Sequence, residues 1–183
     1  MPIKNFFQVT VVLLISIFLL NCSQKKEEVK TVTSDVNRAI CLLYPTKGSE
    51  TTGTVTFTQK QNGILITADV KGLSPGKHGF HIHEFGDCSK LDGKSAGGHF
   101  NPTAKNHSGP ESEERHVGDL GNLFAGDDGT AHYEWTDKLI SFSGTNSIIG
   151  RAIIVHADED DLTSQPTGNA GVRLACGVIG LAK

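Results

Sequence analysis

The sequence has no apolar run long enough to cross a bilayer, no internal repeat, little helical periodicity and no excess of positive charge. Its longest apolar run, Val9 to Leu20, falls short of the ~20 residues that a membrane helix needs. Without a repeat, solenoids and propellers are excluded. A formal net charge of −3 gives no electrostatic grip on a phosphate backbone, so no nucleic-acid partner is expected. Weak helix signals leave strands to build the core.

The chain divides into three parts. Residues 1–21 read as a signal peptide, with Lys4 as a short basic region before the apolar run. The run ends Leu19-Leu20-Asn21-Cys22, which resembles the lipobox of a bacterial lipoprotein precursor and marks Cys22 as the lipid anchor. Asn21 departs from the usual small residue there, and an ordinary secretory signal is the alternative. Residues 22–38 are polar, rich in lysine and glutamate, and aperiodic, the composition of a flexible tether. Residues 39–183 form the domain. The expected location is the bacterial cell envelope, as an exported protein of the periplasm or a lipid-anchored protein of the outer membrane.

Strand signals in the domain are regular: Ala39–Tyr44, Thr54–Gln59, Ile64–Val70, Lys77–Phe85, Asp119–Phe124, Ala131–Trp135, Ser147–Val155 and Arg173–Leu181. Ile64, Ile66, Ala68 and Val70 alternate with Leu65, Thr67 and Asp69, as in a half-buried strand. Asn62-Gly63 and Gly126-Asp127-Asp128-Gly129 are hairpin signals. The expected fold is all-β: an eight-stranded antiparallel sandwich or flattened barrel carrying long metal-binding loops.

Histidine is concentrated instead of scattered. Five of the eight lie between Gly79 and Asp119, and His78 stands just before them. Residues two apart share a strand face, so His81 and His83 point one way while His78, Phe80 and Ile82 face the core. His78 is therefore expected to be a buried, hydrogen-bonded residue, and the pair His81/His83 can hold one metal ion. His99, His107, His116 and Asp119 follow in a loop with glycines 93, 97, 98, 109 and 118 and prolines 102 and 110. A long structureless loop in a compact domain needs a reason, and a metal clip supplies one. Three imidazoles and a carboxylate make a closed set suited to structural zinc.

Among the four cysteines, Cys41 lies in an apolar strand and reads as a small buried hydrophobe. A bridge between Cys88 and Cys176 would staple the histidine loop to the last strand in an oxidising compartment. Three domain cysteines leave other pairings open.

The segments GFHIHEFGD, GGHFNP, ERHVGDLGN, HADEDDL and GNAGVRLACGVIG together resemble copper/zinc superoxide dismutase, and the resemblance runs from about residue 39 to the C-terminus. It implies a Greek-key barrel. It also implies copper on His81, His83, His99 and His156, and zinc on His99, His107, His116 and Asp119, with His99 bridging the two. Asp160 matches the family's outer carboxylate, expected to bond His83 and His107. Arg173 matches the arginine that attracts and orients superoxide, so His99 and Arg173 are the expected catalytic residues. Cys88 and Cys176 match the family disulfide. His132 is left without a role and is expected at the surface. Gly86, Ile149, Gly150 and the Gly180-Leu181 end resemble family dimer contacts, which makes a homodimer possible.

The implied activity is disproportionation of superoxide to oxygen and hydrogen peroxide by copper redox cycling, since zinc has no redox chemistry. In the envelope, that would protect against oxidative damage. Removing residues 1–21 loses Lys4 and takes the net charge from −3 to −4, so an anionic substrate needs local positive potential. The stretch from Asp161 to Gly168 lacks the charged residues that guide the anion in eukaryotic members. Arg173 with Lys94 or Lys105 is expected to guide it instead. A copper chaperone on the same scaffold, or a tethered interaction module that buffers zinc, are the other classes. Neither needs the full ligand set together with the arginine.

Overall fold

The computed structural model describes residues 36–183. The signal segment, Cys22 and most of the tether lie outside the described residues. Eight strands follow in order: β1 (Arg38–Pro45), β2 (Thr52–Lys60), β3 (Gly63–Lys71), β4 (Gly76–His83), β5 (Asp119–Ala125), β6 (Thr130–Asp137), β7 (Ala152–His156) and β8 (Arg173–Leu181). They close into a barrel in the order β1-β2-β3-β6-β5-β4-β7-β8, every pair antiparallel. Pairing of β3 with β6 and of β4 with β7 supplies the Greek-key crossings. The only helical element among the described residues is a 3₁₀ turn at Lys94–Ala96.

Alternation sets the inside and outside. Ile64, Ile66, Ala68 and Val70 of β3 are buried while Asp69 and Lys71 are exposed. Phe57, Phe80, Ile82, Leu120, Leu123, Ile153 and Ile179 complete the core, each side chain contributing roughly 1.5–3 kcal/mol of burial. Cys41 is fully buried there, and burial pushes its thiol up to about 12. The β5–β6 hairpin turns at Gly129, whose φ of 74° suits glycine, while the Asp128 carboxylate accepts from the Thr130 N–H.

Two expected strands are longer than the real ones. Residues 147–151 are not a strand: Ser147 makes an isolated bridge to Ser141 and Ile149-Gly150 form a turn, with Arg151 N–H bonded to the Ile148 carbonyl and Gly150 at φ 77°. Likewise β4 stops at His83, because the Glu84 and Phe85 N–H groups donate to the loop carbonyls of Gly98 and Ala96.

The barrel register breaks in β4 between Gly79 and His81, and in β7 between Val155 and His156. A bulge re-aims the side chain beside it. Both breaks fall at histidines of the site.

Candidate metal centre

The histidine loop is laid along β4 by backbone bonds. Phe100 N–H donates to Ile82, Ile82 N–H to Gly118, and Gly118 N–H to Phe100, at 2.8–2.9 Å. Gly118 must be glycine, since a Cβ there would meet the Ile82 carbonyl at 2.1 Å. This closure brings His99 opposite His83 as an isolated bridge. The Cys88–Cys176 disulfide ties the same loop to β8, with Cα atoms 5.8 Å apart.

Two buried clusters result: His81, His83, His99 and His156, and His99, His107, His116 and Asp119, the donor atoms of each within 4.8 Å of one another. His99 belongs to both. Hydrogen bonds select which nitrogen each ring offers. His83 Nδ1–H donates to the Gly97 carbonyl (2.9 Å) and His156 Nδ1–H to that of Gly171 (3.2 Å), which leaves their Nε2 atoms 3.4 Å apart. His81 Nε2–H donates to Asp160 (2.7 Å), so Nδ1 is its free atom. His81 Nδ1, His99 Nε2 and His107 Nδ1 are buried with no hydrogen-bond partner. A buried polar atom without a partner is costly, and a lone pair aimed at a cation removes the cost.

The second cluster centres on Asp119. Its Oδ2 accepts from the N–H groups of Ser108 and His116, while Oδ1 lies 2.8 Å from His99 Nδ1, 3.0 Å from His107 Nδ1 and 3.1 Å from His116 Nδ1. The His107 approach is close without hydrogen-bond alignment. Such spacings approach those of ligands around one tetrahedral zinc ion, roughly 3.3 Å for ~2 Å bonds. The donor set fits zinc here and a softer, imidazole-preferring ion such as copper in the all-histidine cluster.

Asp160 joins the clusters. Its Oδ1 accepts from His107 Nε2–H at 2.8 Å and its Oδ2 from His81, not from His83 as the resemblance implied. His81 stands beside the register break in β4, and His83 has already committed Nδ1 to Gly97. His78 is buried as expected, with Nδ1–H on the His156 carbonyl at 2.8 Å. His132 sits on the surface beside Asp69.

A cavity of about 730 Å³ reaches His83, His99 and His156 and is also lined by Thr46, Lys47, Lys94 and Arg173. His107, His116 and Asp119 do not line it, so the all-histidine cluster is open and the other closed. Arg173 donates to the carbonyls of Gly93 and Gly97, both at 2.6 Å. Lys105 does not belong to this mouth: its ammonium is paired with Glu114 on the far part of the loop. Lys47, not singled out from the sequence, takes a place beside Lys94; no spacing or motif marks it.

Burial, aided by neighbouring histidines and Arg173, holds His83 and His156 well below the ordinary imidazole range. Burial also lowers His81, and it takes His99 down to about 3. His107 goes the other way. Burial acts to lower it, but the hydrogen bond to Asp160 and the negative charge of both Asp119 and Asp160 prevail and raise it to about 9. Burial would raise Asp119 and Asp160, yet the histidines bonded to them hold both below the usual carboxylate range.

Fold and donor set together define a β-barrel metalloprotein with one open and one closed site. The family model for copper/zinc superoxide dismutase matches residues 51–179. "Extracellular superoxide dismutase [Cu-Zn]" of Brugia pahangi is 47% identical over 162 residues, covering 84% of this chain and 80% of the relative. A crystal structure of the clock protein EA4 superposes with a TM-score of 0.73 at 44% identity, covering 80% of this chain and 95% of that one. The chain belongs to the copper/zinc superoxide dismutase family. It is an oxidoreductase that disproportionates superoxide to oxygen and hydrogen peroxide with copper and zinc as cofactors.

One consequence is measurable without activity. At pH 7 the raised His107 is protonated, while zinc requires its neutral ring. Zinc added alone to metal-free protein is therefore expected to release the His107 proton at pH 7 and to bind about tenfold more tightly per pH unit toward pH 9. Above pH 9 this proton release disappears. Calorimetry in buffers of different ionisation heat reads it, and a pH-independent affinity between 7 and 9 would contradict the assignment.

Proposed function

We propose that His81, His83, His99 and His156 hold the copper and that His99, His107, His116 and Asp119 hold the zinc, with Asp160 orienting one ligand of each. The observation that carries this is the division of free nitrogens, Nδ1 on His81 and Nε2 on His83 and His156, which face one volume open to the cavity. Copper, when bound, supplies one-electron exchange in both directions. The chain supplies the rest. Arg173 keeps its guanidinium at the cavity wall, hydrogen-bonded to neutral carbonyls and not directly to a carboxylate, and so presents positive charge to an anion even with Asp92 in the same cavity. His99 Nε2 faces the open cluster and is the atom placed to hold and deliver a proton, while its Nδ1 is left to the closed site it would share with Asp119. The closed cluster fixes the loop that carries His99.

Lys47 and Lys94 guide superoxide to the mouth; of the two lysines expected from the sequence, Lys94 lines the cavity and Lys105 does not. Purified protein is expected to consume superoxide only with copper present, losing activity to a chelator and regaining it with copper but not with zinc alone. In the same assay, K47E and K94E should each lower the low-salt rate about threefold and lose the effect in high salt. K105E should leave it unchanged. Equal low-salt rates for all three variants would remove the lysines from guidance.

The same proposal places the enzyme outside the cytoplasm of a bacterium, with residues 1–21 removed, Cys22 lipidated and residues 22–38 as a tether, so that it protects the cell envelope. Support comes from the lipobox-like Leu19-Leu20-Asn21-Cys22, from the disulfide, and from a relative whose name says extracellular. Radiolabelled palmitate should enter the expressed protein and be absent from C22A. Label at wild-type level in C22A would sink the anchor.

A homodimer is proposed through the outer faces of β1 and β8, where Leu42, Tyr44, Val178 and Leu181 are exposed near Phe85 of the adjoining loop. Sedimentation should find a dimer that V178E converts to monomer. A wild-type monomer at high concentration would end that proposal.

A further inference from the structure

The segment from Asp161 to Asn169 lacks charged guides, yet it is tightly built. The Asp161 carboxylate accepts from the N–H groups of Thr163 (2.9 Å) and Ser164 (2.7 Å), and Asn169 donates to its other oxygen at 3.2 Å. Gly168 N–H closes the turn on the Ser164 carbonyl, and Asp161 N–H on Gly168. This frame holds the Gln165 side chain against the backbone of His107. His107 N–H donates to Gln165 Oε1 at 2.8 Å, and Gln165 Nε2–H donates to the His107 carbonyl at 2.9 Å. Neither backbone group of His107 has another bond among the described residues.

The same device appears at the other end of the His107–Asp160 bond. Asp160 N–H donates to Asn122 Oδ1 (2.8 Å) and Asn122 Nδ2–H to the Asp160 carbonyl (2.9 Å). Gly168 lies directly over this bond. At its φ of 67°, a Cβ would stand 1.8 Å from Asp160 Oδ1 and 2.6 Å from His107 Nε2. The loop thus covers the bond with bare backbone while an amide grips each end. A two-point amide pairing fixes both position and rotation of the residue it holds, which one hydrogen bond cannot do.

We propose that Gln165 is a positioning residue for the closed metal site: its amide clamps the His107 backbone so that Nδ1 stays aimed at the ion and Nε2 at Asp160. The short loop therefore serves metal retention instead of substrate guidance. This rests on the assignment of His107 as a zinc ligand. Gln165 is exposed, so its replacement opens no cavity. Q165M keeps the length of the side chain and removes both bonds to His107, together with the Nε2–H bond to the Thr163 carbonyl (3.1 Å).

The test uses full-length protein loaded with zinc alone, with zinc release followed by a chromophoric chelator. Q165M and Q165A should release zinc about tenfold faster than wild type, the size of effect expected when an outer partner of a ligand is lost. T163A, which loosens the same loop without touching His107, should release at the wild-type rate. With cobalt in the closed site, Q165M should shift the visible ligand-field bands, while the copper spectrum of the open site stays unchanged. Wild-type release rates in Q165M would overturn the clamp. Fast release with unshifted cobalt bands, or equally fast release in T163A, would reduce Gln165 to general loop stiffness. Wild-type protein that takes up no zinc would instead remove the ligand assignment beneath it.

Discussion

Six imidazoles and two carboxylates share one buried volume, and that crowding governs the rest of the site. A buried charge without a partner costs on the order of several kcal/mol, so the rings cannot all be cations. Burial holds His81, His83, His99 and His156 below the ordinary range, which makes them neutral donors. His107 is the exception because it alone lies between Asp119 and Asp160. Neutral rings with one nitrogen engaged have one lone pair left. Which nitrogen that is depends on the partner each ring finds: a carbonyl for His83 and His156, a carboxylate for His81. The hydrogen-bond network thus decides the aim of the metal donors before any metal arrives, and Asp160 makes the two sites answer to one another.

Most of this was legible in the chain. Alternation identified the core face of β3, and the face argument separated buried His78 from the pair His81/His83. The loop histidines announced themselves by number, and glycine at 118 proved to be the contact that lets the loop lie on β4. What failed was whatever depended on a departure from regular strand geometry. A bulge at Gly79/His81 cannot be read from alternating residues, and the resemblance, which implied His83 as the partner of Asp160, did not show that His81 takes that place. The strand expected from Ser147 begins only at Ala152, because apolar residues such as the fully buried Ile148 do not by themselves distinguish a strand from the loop and turn that precede it.

Surface placement was harder still. Lys47 and Lys105 look alike in sequence, but only the fold shows that one lines the cavity and the other is paired with Glu114. Gln165 was visible only as a missing charge. Its role depends on a contact across 58 residues of chain, which no local pattern encodes.

A net-negative protein needs positive charge held in its cavity to attract an anion. Arg173 is fixed there by its choice of partners, with the Asp92 carboxylate on the same cavity wall. Both its terminal nitrogens bond backbone carbonyls, which fix the guanidinium without cancelling its charge as a carboxylate would. The carbonyl of Gly97 also receives His83 Nδ1–H, so one backbone oxygen orients both a donor of the open site and the charge that faces it. The loop carrying that oxygen is held to β8 by Cys88–Cys176. Bonding of the loop, aim of the imidazole and placement of the arginine are therefore a single mechanical unit. Disturbing the loop moves the charge and the donor together.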